Sequence, residues 1–383
     1  MAVTLADVAA RAGVSAATVS RVLSGNYPVA GATRSRVLRA VEELEYVVNG
    51  PASALAAATS DLVGVLVNDI ADPFFGIMAS AVQSELEPGK AGRKLAVVCN
   101  TGGSPERELT YLTLLQRQRA AAVVLTGSAV EDPEHTAALA ARLRRMAGAG
   151  TRVVLCGRPP LPEPGGPDGA DGPGSTDGSG DADGTAAGPV TVAFDNRGGA
   201  RRLTEHLLAL GHRRIGCVAG PVERTTTRHR LEGHRAALAA HDPALLADAD
   251  RLTVHGAYDR SSGYDGALEL LRRTPDLTAV LAANDTAALG VCAALRETGL
   301  RIPGDVSVAG FDDLPFSADA APALTTVRIP LHEAGARAGR LALGREAVPP
   351  GGMATVRTEL MVRASTAPPR TGRAPVPSGG PTR

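Results

Sequence analysis

The chain has 383 residues, with 40 lysines plus arginines balanced by 40 aspartates plus glutamates. Zero net charge excludes a uniformly basic nucleic-acid coat, so any DNA contact must come from a local cluster. The length predicts two or three domains with ample core, and no stretch has the apolar run of a signal peptide or of a membrane span, so the sequence predicts a cytoplasmic protein without a membrane partner.

Val3 to Arg21 reads V-T-L-A-D-V-A-A-R-A-G-V-S-A-A-T-V-S-R. Thr4 can cap a first helix, with Asp7 three residues on as a shortened capping box. Leu5, Val8, Ala9 and Ala12 then share one helical face, and Gly13 ends the helix at positive φ. Ser15 caps a second helix that turns Val19, Val22 and Leu23 inward and leaves Ala16, Ala17, Thr18, Ser20 and Arg21 outside. A helix-turn-helix of this kind lays its second helix in the major groove of double-stranded DNA. Arg21 is the one long basic donor there, suited to a guanine edge or a phosphate. Ser15, Thr18 and Ser20 suit phosphate oxygens, while Ala16 and Ala17 offer apolar contact, for instance to a thymine methyl. A third helix is expected from Thr33 to Leu44, with Val37, Leu38, Val41 and Leu44 inward.

From Asp61 the chain alternates short apolar runs with helical stretches. The strands expected are Leu62–Val67, Leu95–Cys99, Val123–Leu125, Val153–Cys156, Val190–Phe194, Ile215–Ala219, Leu252–His255, Val280–Ala283 and Val306–Phe311. Buried parallel strands alternating with helices make a doubly wound α/β architecture, and two sets make two lobes. Between the sets, residues 159–189 are rich in Gly, Pro, Asp and Ser and are expected to be a disordered loop, as is the tail 367–383. An EF-hand beginning at Asp177 fails, because Ala182 and Gly188 stand where glycine and glutamate are needed. Cys99, Cys156, Cys217 and Cys292 lack C-x-x-C spacing and are expected to be reduced and mostly buried; no metal, cofactor or catalytic residue is assigned.

Ligands in such sheets bind at strand ends. These ends carry Asn68-Asp69, Asp195-Asn196, Asn284-Asp285 and Asp312-Asp313, short polar groups suited to a hydroxyl-rich ligand. Arg230, with Arg228 as a second candidate, can present a forked donor. Phe74, Phe75 and Tyr258 can pack on the apolar face of a ring. Asp285 and Asp195 serve equally well as helix caps.

The string G-V-S-A-A-T-V-S-R (13–21) resembles the headpiece of the lactose/galactose-repressor (LacI/GalR) family. D-P-F-F (72–75), L-G-H-R-R-I (210–215), R-L-E-G (230–233), A-N-D-T-A-A-L-G (283–290), S-V-A-G-F-D-D (307–313) and L-T-T-V (324–327) look like the family's landmarks, in family order. The resemblance implies an N-terminal three-helix helix-turn-helix headpiece (1–48) and a hinge helix (49–60). It implies also a two-lobed, periplasmic-binding-protein-like effector and dimerisation domain (61–366), its first lobe at 61–158 and 329–358 and its second at 190–327 and 359–366. It completes the DNA-binding set with Thr4, Leu5, Thr33, Tyr46, Asn49 and Ala52, and places Leu55 as a minor-groove wedge. In the cleft, Arg230, Asn284 and Asp312 match polar effector contacts and Tyr258 an aromatic that stacks on the effector. The chain departs from the pattern at Glu45 (often glycine), Val48 (often proline), Ser53 (often basic), Ala121-Ala122 (often Asp-Gly) and Gly157 (often aspartate).

The function expected is therefore a repressor that binds a pseudo-palindromic operator as a homodimer and is controlled by a small, sugar-like effector. The alternatives are an α/β enzyme and a solute-binding protein. Against the first, no P-loop, G-x-G-x-x-G, G-x-S-x-G or H-E-x-x-H is present; against the second stand the headpiece and the missing signal peptide.

Overall fold

The computed structural model describes residues 3–24, 28–46, 60–86, 94–162 and 188–370. They fall into two compact units, 1–60 and 61–383. Asn49, Ala52 and Leu55 of the expected hinge, most of the 159–189 loop and the tail beyond 370 lie outside the described residues.

The first unit contains α1 (Leu5–Ala12), α2 (Ala16–Ser24) and α3 (Gly31–Glu43). Thr4 and Asp7 form a reciprocal capping box at the start of α1, and Gly13 closes it in the left-handed conformation. The Thr18 N–H donates to Ser15 Oγ at 3.2 Å, so Ser15 caps the start of α2. Val8, Ala9, Ala12, Val19, Val22, Val37 and Ala40 form a closed core, with Leu5, Val41, Leu44 and Tyr46 packed on its edge. Leu38, expected inward, is 46% exposed. The inward stripe of α3 runs through Val37, Ala40, Val41 and Leu44, and Leu38 lies about 100° round the helix from Val37. Glu45 has φ 48°, the left-handed geometry that glycine adopts without penalty, at a cost of about 1–2 kcal/mol for a residue with a Cβ.

The second unit begins with β1 (Leu62–Val67), α4 (Pro73–Glu85), β2 (Leu95–Asn100), α5 (Pro105–Arg117), β3 (Ala122–Thr126), α6 (Pro133–Gly148), β4 (Arg152–Cys156) and β5 (Val190–Phe194). Asp72, Ser104 and Asp132 each cap the helix whose first residue is the following proline, a signal that fixes where the chain leaves the sheet. The chain continues through α7 (Asn196–Ala209), β6 (Ile215–Ala219), α8 (Thr225–His241), β7 (Thr253–His255), α9 (Arg260–Arg273), β8 (Ala279–Ala282), α10 (Asp285–Glu297) and β9 (Ser307–Ala309). It closes with α11 (Phe316–Asp319), β10 (Thr326–Arg328), α12 (Leu331–Leu343), β11 (Met353–Val356) and β12 (Glu359–Met361).

One parallel sheet has the order β11-β5-β4-β3-β1-β2, a second has β7-β6-β8-β9, and β10 pairs with β12 alone. Val190–Phe194 thus belongs to the first sheet, not to the second lobe where the sequence placed it: Val154 and Cys156 pair with Val190 and Val192 on one side, and Thr191 to Phe194 pair with β11 on the other. Every residue of β5 but Ala193 is buried, as a strand flanked on both sides requires. The lobe change comes just after it, at Asp195. The C-terminal segment is fixed further than expected. Ala367 accepts from His212 Nε2 at 2.9 Å and donates its N–H to Ser307 Oγ at 3.1 Å.

One crossover in each sheet, from β2 to β3 and from β7 to β8, reverses the strand order, between β1 and β3 in the first and between β6 and β8 in the second. Strand-order reversals leave a crevice at the carboxyl ends of the strands. The residues after those four strands are Asn68, Gly127-Ser128, Gly220-Pro221 and Ala283-Asn284.

Candidate functional site

In the first unit α2 turns an exposed polar face outward. Ala16, Ala17, Ser20 and Arg21 are exposed and Thr18 is half-buried. Ser15, Thr18 and Arg21 share one concave surface with Pro28, which precedes α3, and with Thr33 in its first turn. The Ser15 and Thr18 hydroxyls lie 2.9 Å apart, so each fixes the rotamer of the other. Thr4 is committed to its capping box, and Leu5 and Tyr46 lean on the core with part of their surface exposed. Five of the expected contacts (Ala16, Ala17, Thr18, Ser20 and Arg21) thus lie on α2 itself, and Ser15 and Thr33 border them.

In the second unit a cavity of about 540 Å³ opens where the two strand-order reversals face each other. Phe74 and Phe75 meet edge to face at 5.0 Å, and Phe74 meets Phe194 likewise at 6.4 Å, which makes one wall aromatic. Gly157 adjoins that wall with φ 82°, and a Cβ there would lie 2.8 Å from the Phe194 ring. The ring occupies the space that a side chain at 157 would need.

The opposite wall is polar and turns on Arg230. Its Nη2 donates to Asp312 Oδ1 at 2.9 Å and its Nε to Asn196 Oδ1 at 2.9 Å, while Nη1 donates to the Ala283 carbonyl. The guanidinium lies 3.7 Å from the centroid of the Phe311 ring, a cation–π contact in a dry setting. Asp312 is buried and has φ 104°, a strained backbone held by its partners. Burial pushes its carboxyl up to about 7, against the pull of Arg230. Tyr258 Oη shares a 2.6 Å hydrogen bond with Thr227 Oγ1, and burial raises the phenol above its ordinary range.

Asn284 lines the cavity with both polar ends in use, because Oδ1 accepts from the Ala287 N–H and Nδ2 donates to the Tyr258 carbonyl. It positions Tyr258 while capping α10. Arg228, the second arginine candidate, does not line the cavity. It bonds Glu131 at 2.6 Å and Glu232 at 2.8 Å, which ties the start of α8 to the loop before α6. Asp195 caps α7 and holds Arg202. Asp285 is fully buried and accepts from Leu314 N, Ser317 Oγ and Thr326 Oγ1. Both are structural carboxylates.

Phe194 and Arg224 also line the cavity and were not offered by the sequence reading as site residues, whereas Asn196 was offered only as one of the polar strand ends. Arg224 precedes the Thr225-Thr226-Thr227 run at the start of α8, and a basic residue beside a helix-capping turn at a strand end is the signal that could have found it. No group of three metal-ligating side chains exists among the described residues. Directional donors and acceptors in a half-enclosed cavity with aromatic walls suit the holding of a polar small molecule.

The model of bacterial regulatory proteins of the lacI family matches residues 4–49, and that of a periplasmic binding protein-like domain matches residues 204–366. The HTH-type transcriptional regulator GalR of Escherichia coli (strain K12) is 34% identical over 340 residues, which cover 89% of this chain and 88% of GalR. The chain belongs to the lacI family. It is a DNA-binding transcriptional regulator with a helix-turn-helix and a periplasmic-binding-like α/β domain, and its family is one of regulators rather than enzymes. Two solved structures are similar over nearly the whole chain. A transcriptional regulator CelR–cellobiose complex is 32% identical with a TM-score of 0.61, covering 95% of this chain and 99% of that one. A lac repressor dimer bound to operator and the anti-inducer ONPF is 26% identical with a TM-score of 0.70, covering 96% and 100%. No helix among the described residues is long and apolar enough to cross a membrane.

Proposed function

We propose that this lacI-family protein is a repressor that binds a pseudo-palindromic operator as a homodimer and is released or engaged by a small sugar-like effector. The observation that carries the proposal is the Arg230 hub, a forked donor fixed between Asp312, Asn196 and Ala283 on the wall of a 540 Å³ cavity that faces an aromatic wall. Hydroxyls meet the polar wall and the apolar face of a pyranose or furanose ring meets Phe74, Phe75 or Tyr258. The cellobiose and ONPF complexes of the two similar structures support that ligand class, and the operator-bound lac repressor dimer supports the partner and the assembly.

On the DNA side the contacts are assigned to Ser15, Ala16, Ala17, Thr18, Ser20, Arg21 and Thr33, with Thr4, Leu5 and Tyr46 at the edge and Asn49, Ala52 and Leu55 in the hinge. On the effector side they are Phe74, Phe75, Arg230, Tyr258, Asn284 and Asp312. An effector shifts the equilibrium between DNA-competent and DNA-incompetent dimers only by its difference in affinity for the two. Gel retardation tests this directly. The full chain should retard its promoter-proximal palindrome at a salt concentration where scrambled DNA stays free, and one sugar of a neutral and acidic panel should change the midpoint. Equal retardation of scrambled DNA would reject the operator assignment.

A further inference from the structure

Where Asn68, Gly103, Ser128 and Arg224 line it, the cavity adjoins a narrow recess that no step above uses. It holds about 10 Å³ of free space, room for little more than one oxygen atom. Asn68, Ser104, Glu108, Ser128, Arg158 and Arg224 border it. Ser104 caps α5, so the positive end of a 13-residue helix points at the same place. Arg158 is only 5% exposed, and although its Nη2 bonds Glu108 Oε1 at 2.5 Å, its Nε has no hydrogen-bond partner. Glu108 Oε2 also lies within hydrogen-bond distance of His135 Nε2, at 3.1 Å.

Arg224 lines both the recess and the main cavity. Its Nη2 donates to the Gly103 carbonyl at 2.6 Å, a neutral acceptor that leaves its charge in place. Burial lowers its affinity for the proton, and the nearby charge of Arg158 adds to that. The four acids of the cavity have partners of their own: Asp69 accepts from the Ala71 N–H, Asp72 caps α4, Asp259 caps α9 and Asp312 holds Arg230. Two guanidiniums therefore line the recess, with the Glu108 carboxylate bonded to Arg158 and the charge of Glu223 near Arg224.

Resting on the assignment of this cavity to an effector, we propose that Arg224 and Arg158 form an anion-recognising corner, so that the effector is a hydroxyl-rich molecule bearing a carboxylate or a phosphate. The ring lies in the main cavity and the anionic group reaches Arg224, with one oxygen at the mouth of the recess. Charge-assisted bonds to guanidinium are about twice as strong as neutral ones, and the half-buried setting screens them less than open solvent does.

The test is calorimetric titration of the full chain with glucose, galactose and ribose, each beside its charged forms: glucuronate, galacturonate, glucose 6-phosphate, galactose 6-phosphate and ribose 5-phosphate. At least one charged form should bind tenfold or more tightly than its neutral parent, and whether it is a uronate or a phosphate tells the two anion sources apart. Arg224→Gln should cost the charged form at least tenfold more affinity than it costs the neutral parent, and Arg224→Lys should keep part of the preference. Neutral parents that bind as well as the charged forms, or an equal loss for both in Arg224→Gln, would overturn the corner and leave the sugar cleft standing. If no sugar of either kind binds, the sugar-effector proposal fails and takes the corner with it.

Discussion

The headpiece and the proposed effector cleft solve opposite problems with the same chain. In the headpiece the reading surface is local. Ser15 to Arg21 lie within two turns of one helix, and the contacts that shape them, Thr4 to Asp7 and Ser15 to Thr18, span three residues. In the cleft the contacts around Arg230 span 34, 53 and 82 residues to Asn196, Ala283 and Asp312. A surface built by helix periodicity is set by near neighbours in sequence, while a cleft exists only once two sheets have formed. Damage to the first should therefore stay local, and damage to the second should spread through buried charge.

The largest effect expected on that contrast is at Glu108. Burial alone would raise this carboxyl, but the charge of Arg158 and the hydrogen bonds from His135 and Arg158 outweigh it and hold it at about 2. Glu108→Gln leaves Arg158 buried without its counter-charge, and a guanidinium cannot shed its proton, so a loss of about 3–5 kcal/mol is expected in urea unfolding of the second unit. The sign with pH follows from the lowered value. The stabilisation is complete above the ordinary value of 4.5 and is lost as pH falls through about 2, so the variant should show a flatter acid limb over that window. An unchanged acid limb would mean that folding does not lower the Glu108 carboxyl below its ordinary range.

Arg230→Met should cost less, about 1–3 kcal/mol, although it breaks an equally buried pair. Asp312, already pushed up to about 7, escapes by taking a proton, an outlet that Arg158 lacks. The same variant should lose the effector response in gel retardation while effector-free operator binding stays within about threefold of the parent. A normal response would remove Arg230 from the effector site.

The smallest expected effect is at Thr4. Thr4→Ala removes one side of the capping box and should cost the headpiece about 1 kcal/mol, seen as weaker operator retardation. Calorimetric effector binding should be unchanged. A changed effector affinity would break the contrast, because it would show the cap communicating with the cleft.

Much of this was legible in the residues themselves. Thr4, Asp7, Gly13 and Ser15 announce their helix ends, and the apolar runs from Leu62 to Phe311 announce the strands, because these signals act within a turn or a strand. Leu38 was misplaced because one apolar residue beside Val37 is ambiguous until the packing partner is known. The pairing of β5 could not be read, since an apolar pentapeptide fits either sheet and only its neighbours β4 and β11 decide. The segments β10, α12, β11 and β12 were not assigned as elements, since short or alanine-rich stretches carry little periodic signal and take their form from the sheets and helices they join.

The residue types in the cleft were likewise visible, but not their tasks. Arg228 and Arg230 differ by two positions, and on a helix that turns them about 200° apart, so one meets Glu131 and the other Asp312. Asn284 caps its helix and holds the Tyr258 carbonyl, and Arg224, which the sequence reading did not single out, stands in the cavity.

The sequence alone thus determined the headpiece, its reading helix and the alternation of strand and helix, because each depends on residues a few positions apart. The tertiary structure decided which strands share a sheet, which arginine faces the cleft, and which carboxylates remain charged. Those outcomes depend on what distant segments bring alongside and on how much water they exclude.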